Sequence, residues 1–132
     1  MATKQDVFSI DGIYFNVFIP EDGIERNFAI VDTDDAGRVI TGAMERDIVG
    51  TFYNYTVKLN TNFLSFTEYD ELYEILSSPV DYHTLILPYA QSTLRFKAYI
   101  TSGKDVLKRI SSKGNHWKQL SVNFIAMEPE RV

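Results

Sequence analysis

Cysteine is absent from this sequence, which excludes disulfides, thiolate metal sites and cysteine nucleophiles. Histidine is nearly absent: His83 and His116 are the only two. That is too few for a histidine-based metal centre unless carboxylates complete it, and no HExxH-type spacing occurs. A surplus of positive charge is missing too. Thirteen Lys and Arg face eighteen Asp and Glu, for a net charge of −5, so the chain as a whole has no general attraction for phosphate backbones. No run approaches the roughly 20 apolar residues of a membrane helix. The start, "MATKQDVFSI", lacks the apolar stretch of a signal peptide, so a chain made and folded in the cytoplasm, without a membrane partner, is the expectation. Seven scattered glycines form no phosphate-cradling loop after any strand. No internal repeat or low-complexity tract is visible.

Present instead is apolar and aromatic bulk. Of 132 residues 45% are apolar, with nine Phe, eight Tyr and one Trp. That supply suffices for one domain, residues 1–132, with its own core. It also suits pleated surfaces, where rings pack well. "IYFNVFI" places Ile13, Phe15, Val17 and Ile19 on one face of an expected strand, ended by Pro20. "NFAIVD" reads as a short second strand, closed by a turn at Asp34 to Gly37. In the next segment Val49, Thr51, Tyr53, Tyr55, Val57 and Leu59 form one core-like face, against Phe52, Asn54, Thr56 and Lys58 on the other.

The period then changes. Tyr69, Leu72, Tyr73 and Leu76 recur at i, i+3, i+4 and i+7, an amphipathic helix at about residues 67–78. Ser65 and Glu68 have capping-box spacing, Thr67 competes as N-cap, and Pro79 stops the helix. Strands resume in "HTLIL", after which "PYAQS" reads as a turn. "TLRFKAYI" aligns Leu94, Phe96, Ala98 and Ile100, and "LSVNFIAM" aligns Leu120, Val122 and Phe124. Between the last two, residues 102–118 read as a basic loop or hairpin. About seven strands with one inserted helix predict a mainly β fold with one α-helix, a β-sandwich or open barrel flanked by that helix.

Candidate chemistry is sparse. "DTDDAG" opens like a calcium loop at Asp32 and Asp34, but Ala36 and Ala43 occupy positions five and twelve, where ligands are required. A Ser–His–Asp triad assembles in space, yet no GxSxG elbow is present. The cluster Glu45-Arg46-Asp47 offers paired carboxylates, but Gly42, Ala43 and Arg46 around them describe a rim rather than the apolar pocket a general acid needs. Lys104, Lys108, Arg109, Lys113 and Lys118 form a basic patch with a single ring, Trp117, too little for stacking on single-stranded nucleic acid. No cofactor site and no catalytic set is expected.

Three runs carry a resemblance: "AGRVITGAMERDIVGTFYNYTVKL", "EYDELYEILSSPVDYHTLILPYAQSTLRFKAYITSG" and "WKQLSVNFIAMEPER". Together they resemble small structural tail proteins of long-tailed (siphovirus-type) phages and prophages of Gram-positive bacteria, over about residues 10 to 131. The resemblance implies a tail-tube-like fold that closes into a ring, most simply a hexamer, at the distal tail or baseplate or in the tail tube. It implies neighbours of the tube, hub and tape-measure kind, a virion location, and DNA that passes through the channel without specific binding. On that view Glu45, Arg46, Asp47, Lys104, Lys108 and Arg109 are expected subunit or ring contacts, and an acidic lumen would keep phosphates from sticking. The alternative is a carbohydrate-binding β-sandwich module of a host-recognition device, using exposed Tyr and Trp117 as platforms. A cell-wall hydrolase working through Glu45 or Asp47 has only unspecific carboxylates in its favour.

Overall fold

The computed structural model describes residues 8–33, 37–38 and 42–132. The expected turn at Asp34 to Gly37 lies largely outside them. Order along the chain is β1 (Ser9–Ile10), β2 (Ile13–Tyr14), β3 (Ile24–Asp32), β4 (Gly37–Arg38), β5 (Met44–Glu45), β6 (Ile48–Leu59), α1 (Phe66–Leu76), β7 (His83–Tyr89), β8 (Ser92–Tyr99), β9 (Gly103–Ser111) and β10 (Gly114–Ala126). The fold is mainly β with a single helix among the described residues, as the periodicities require.

Two layers share β10. The first runs β2-β1-β7-β8 and ends on β10 at Ile125 and Ala126, which pair with Tyr99 and Ala98. The second runs β3-β6-β10-β9, all antiparallel. Between them lies the core. Phe8, Ile10, Leu85, Leu87 and Phe96 face Tyr55, Val57, Leu59, Leu120, Val122 and Phe124, and all are buried. Ring contacts cross the layers, Phe8 to Phe124 at 6.4 Å and Tyr55 to Phe96 at 5.5 Å. The Tyr55 hydroxyl donates to the Pro88 carbonyl at 2.9 Å, so its polar end is satisfied where the ring is buried.

The helix begins one residue earlier and ends two residues sooner than its periodicity predicts. Ser65 is the N-cap, and both halves of the capping box form: Glu68 N donates to Ser65 Oγ at 3.1 Å, and Ser65 N to Glu68 Oε1 at 2.9 Å. At the other end Ser77 Oγ donates to the Tyr73 carbonyl and Ser78 Oγ to the Ile75 carbonyl. These hydroxyls satisfy the last turn before Pro79 is reached. Tyr69, Leu72 and Leu76 are buried, whereas Tyr73 is left exposed beside the stripe.

Other expectations are corrected. The strand expected from Ile13 to Ile19 is broken: Ile13–Tyr14 pairs with β1, because Asp11-Gly12 turn tightly (φ 51° and 85°) and bring Ile13 opposite Ile10, and further on only Phe18 is bridged, to Asn60. Phe15 and Val17 are nevertheless buried, and Ile13 is exposed. β7 continues through Pro88 and Tyr89, and the turn shrinks to Ala90-Gln91. The basic 102–118 stretch takes the hairpin form of the two expected, but β10 starts at Gly114 rather than near Leu120. Two register shifts, at His116/Trp117 and Lys118/Ser121, break the alternation that would have revealed the strand.

The largest correction concerns β6. Its core face ends at Tyr55; Val49 is exposed and Thr51 and Tyr53 are only partly covered. The reason is that β10 leaves β6 for β8 after Phe124. The C-terminal segment then covers the start of β6 instead, with Thr51 N donating to the Arg131 carbonyl at 2.7 Å. A Cβ at Gly50 would stand 2.4 Å from that carbonyl oxygen and 2.6 Å from Pro129 Cβ. Gly50→Ala should therefore release residues 128–132 from β6 while the core stays folded. Hydrogen exchange at Thr51 and early trypsin cleavage after Arg131 would report it.

The second layer is staggered. Ile24, Val57, Val122 and Gly103 stand side by side across its four strands. From that level β3 runs toward one end of the molecule and β9 toward the other. Both are edges: β3 pairs only with β6, and β9 only with β10, among the described residues.

Candidate interaction surfaces

The cluster Glu45-Arg46-Asp47 closes the neck of the β3–β6 connection. Arg46 grips Asp32 with a two-nitrogen fork, Nε to Oδ1 at 3.1 Å and Nη2 to Oδ2 at 3.0 Å. Asp47 accepts from Thr33 twice, the carboxylate from Oγ1 at 2.7 Å and the carbonyl from N at 2.8 Å. Both charges are thus committed within the chain, and Glu45 is left exposed beside them. Half-exposed as it is, the ion pair contributes at most about 1 kcal/mol.

The two free edges of the second layer are apolar, β3 at the end that carries this neck and β9 at the other. On β3, Phe28 (67% exposed), Ile30 and Val31 are open to solvent. On β9, Val106, Leu107 and Ile110 are exposed, the last at 73%. Long apolar edge strands are an aggregation liability for a lone chain.

Across the other end of the second layer's outer face lies a cleft of about 610 Å³. Lys104 and Lys108 of the expected contact set line it, and Lys118 and Lys58 join them; Arg109 does not. Sequence reasoning missed Lys58 because it sits on β6, 46 residues before Lys104. It also placed Lys118 by chain proximity alone. Lys118 and Ser121, three apart, share this cleft because the bulge at Gln119 (φ 56°) re-aims the strand. An acidic lumen is therefore not what this face offers. Its charged positions in register are Glu25 on β3, opposite Thr56, and the lysines beyond it.

Beside the helix is a smaller cleft of about 290 Å³, lined by Tyr69, Asp70, Tyr73, Glu74, Asp105 and Trp117. The Tyr69 hydroxyl donates to Asp105 Oδ2 at 2.6 Å. Burial, then that hydrogen bond, push the Tyr69 phenol well above the usual tyrosine range. Its folded pKa thus exceeds the unfolded value of about 10, so the stability it contributes is complete below pH 10 and is lost as pH rises beyond it. The urea midpoint should fall between pH 9.5 and about 11 more steeply in the parent than in Tyr69→Phe; equal slopes would contradict this.

The histidines take structural places. His83 is buried, with Nδ1 2.6 Å from Asp11 Oδ2, and Asp11 Oδ1 also accepts from Thr84 N at 3.0 Å. This ties the β1–β2 turn to β7. It is half of a catalytic triad in appearance, but no serine hydroxyl bonds to His83 among the described residues. His116 lies edge-on to Phe66 at 5.0 Å and shares a hydrogen bond with Ser111 Oγ. The described residues hold no group of three or more potential metal ligands, and no helix among them is long and apolar enough to cross a membrane.

Comparison with protein-family models and with curated proteins returned no match for this chain.

Proposed function

We propose that this chain is a structural subunit of a phage tail, closing head to tail into a ring at the distal tail or baseplate or in the tail tube. The observation that carries the reading is the pair of open, apolar, diagonally placed edges on one antiparallel layer. β9 of one copy would pair with β3 of the next, which keeps every neighbour antiparallel. A contact between two different patches is heterologous, and heterologous contacts close into rings when the rotation permits. The stagger fits closure, since a sheet can close only with its strands tilted and offset. Sixfold symmetry, DNA passage and tube, hub and tape-measure neighbours come from the sequence resemblance alone. The chain is read as non-catalytic.

The absence of native cysteine makes the pairing testable by crosslinking. With Asn27→Cys and Arg109→Cys introduced together, a short bismaleimide should give a ladder of species ending in one closed oligomer. Each single variant, which has no partner thiol across the pairing, should stay monomeric in this assay. A double variant that crosslinks only within one chain would remove the reading.

One observation favours a second reading, a carbohydrate-binding module. The cleft beside the helix sets Trp117 and Tyr73 among three carboxylates, an arrangement that offers a ring face and hydrogen-bond acceptors to a sugar. Tyr55, by contrast, is buried and serves no such purpose. Glycan-array binding that disappears in Trp117→Ala would favour this module over the ring subunit.

A further inference from the structure

We propose that the lysine cleft binds the phosphodiester backbone of nucleic acid without reading its sequence. Lys58 on β6, Lys104 and Lys108 on β9 and Lys118 on β10 line it, and no carboxylate does. None of the four takes part in an ion pair among the described residues. At low salt, where the Debye length reaches about 30 Å, four uncompensated ammonium groups around one cleft repel, and an anion relieves that repulsion.

The layout indicates which anion. Lys58 and Lys104 flank Ser121 on the two adjacent strands, which places their backbones about 10 Å apart. Lys104 and Lys108 lie about 13 Å apart along β9. Charges spread along a track match a chain of singly charged phosphates; a compact phosphate is held by a convergent set. Lysine supplies point charges that tolerate varied phosphate positions, where arginine forks would fix them. No aromatic ring lines the cleft, so bases find no stacking platform and sequence goes unread. Asn60 and Gln119 add neutral donors at the wall. Gln119 holds a left-handed backbone conformation that is sparsely populated for a residue with a side chain, and that conformation turns Lys118 toward the other three. The net charge of −5 keeps the affinity low.

The test is fluorescence anisotropy of the whole chain with a labelled 20-nucleotide oligothymidine at low salt. A mixed-sequence oligonucleotide should bind equally well. The slope of log K against log salt should be no steeper than about −3, four contacts at about −0.7 each. Lys104→Gln with Lys108→Gln should weaken binding for every sequence and remove about half of that slope, with unchanged circular dichroism. Lys97→Gln, whose ammonium lies over the Tyr82 ring, should leave binding as it was. Absence of binding at low salt, binding indifferent to the double variant, or tighter binding of polyglutamate or of phosphatidylserine vesicles would overturn the proposal. Native mass spectrometry of the same samples reads assembly separately, so loss of nucleic-acid binding with an intact oligomer bears on the cleft alone.

Discussion

A chain carrying Phe28→Lys and Ile30→Lys is expected to run as a folded monomer at concentrations where the parent assembles. Both side chains are exposed in the isolated subunit, so the fold loses little, within about 0.5 kcal/mol per site. The edge loses a great deal. Lysine on an edge strand is one of the devices by which natural proteins prevent strand addition. Any neighbour pairing with β3 would have to take two ammonium groups out of water. Sedimentation velocity checks it: one slow species for the variant, one fast species for the parent. A variant that still assembles would show that β3 is not the joining edge.

The second large effect is on stability. Phe124→Ala should cost about 3–5 kcal/mol, a substantial part of the 5–15 kcal/mol that holds a typical domain together. Phe124 is fully buried near the C-terminal end of β10, in register with Tyr55 and 6.4 Å from Phe8 of the facing layer. It therefore touches both layers at once. Phe28→Ala removes the same atoms from a site 67% exposed and should change stability by about 0.5 kcal/mol or less. Urea unfolding distinguishes the two, with the midpoint moved and the slope unchanged for Phe124→Ala. Comparable losses at both positions would contradict the assignment of inside and outside.

What was legible in the sequence was local. The helix announced itself through a 3.6-residue period, and its start through Ser65 and Glu68, because capping is chemistry between residues three apart. Strands with unbroken alternation, such as the one carrying Leu94, Phe96 and Ala98, were legible for the same reason. What failed was set by partners distant in the chain. Val49 continues the alternation of β6 yet is exposed, because β10 crosses to the other layer and only the C-terminal segment reaches that end. A hairpin was among the forms expected for residues 102–118, but the start of β10 at Gly114 hid behind two bulges that reset its alternation. Of the expected contacts, Lys104 and Lys108 do share a cleft, but it is completed by Lys58, which no spacing could have linked to them. Arg46 and Asp47 were legible as charges and not as partners of Asp32 and Thr33, fourteen residues earlier in each case.

Electron microscopy of the purified chain under negative stain tests the central claim most directly. Closed rings of one size, most simply six subunits around an open channel, are expected, and they disappear when Phe28 and Ile30 become lysine. Particles of monomer size at every concentration, from a chain shown to be folded, would contradict it.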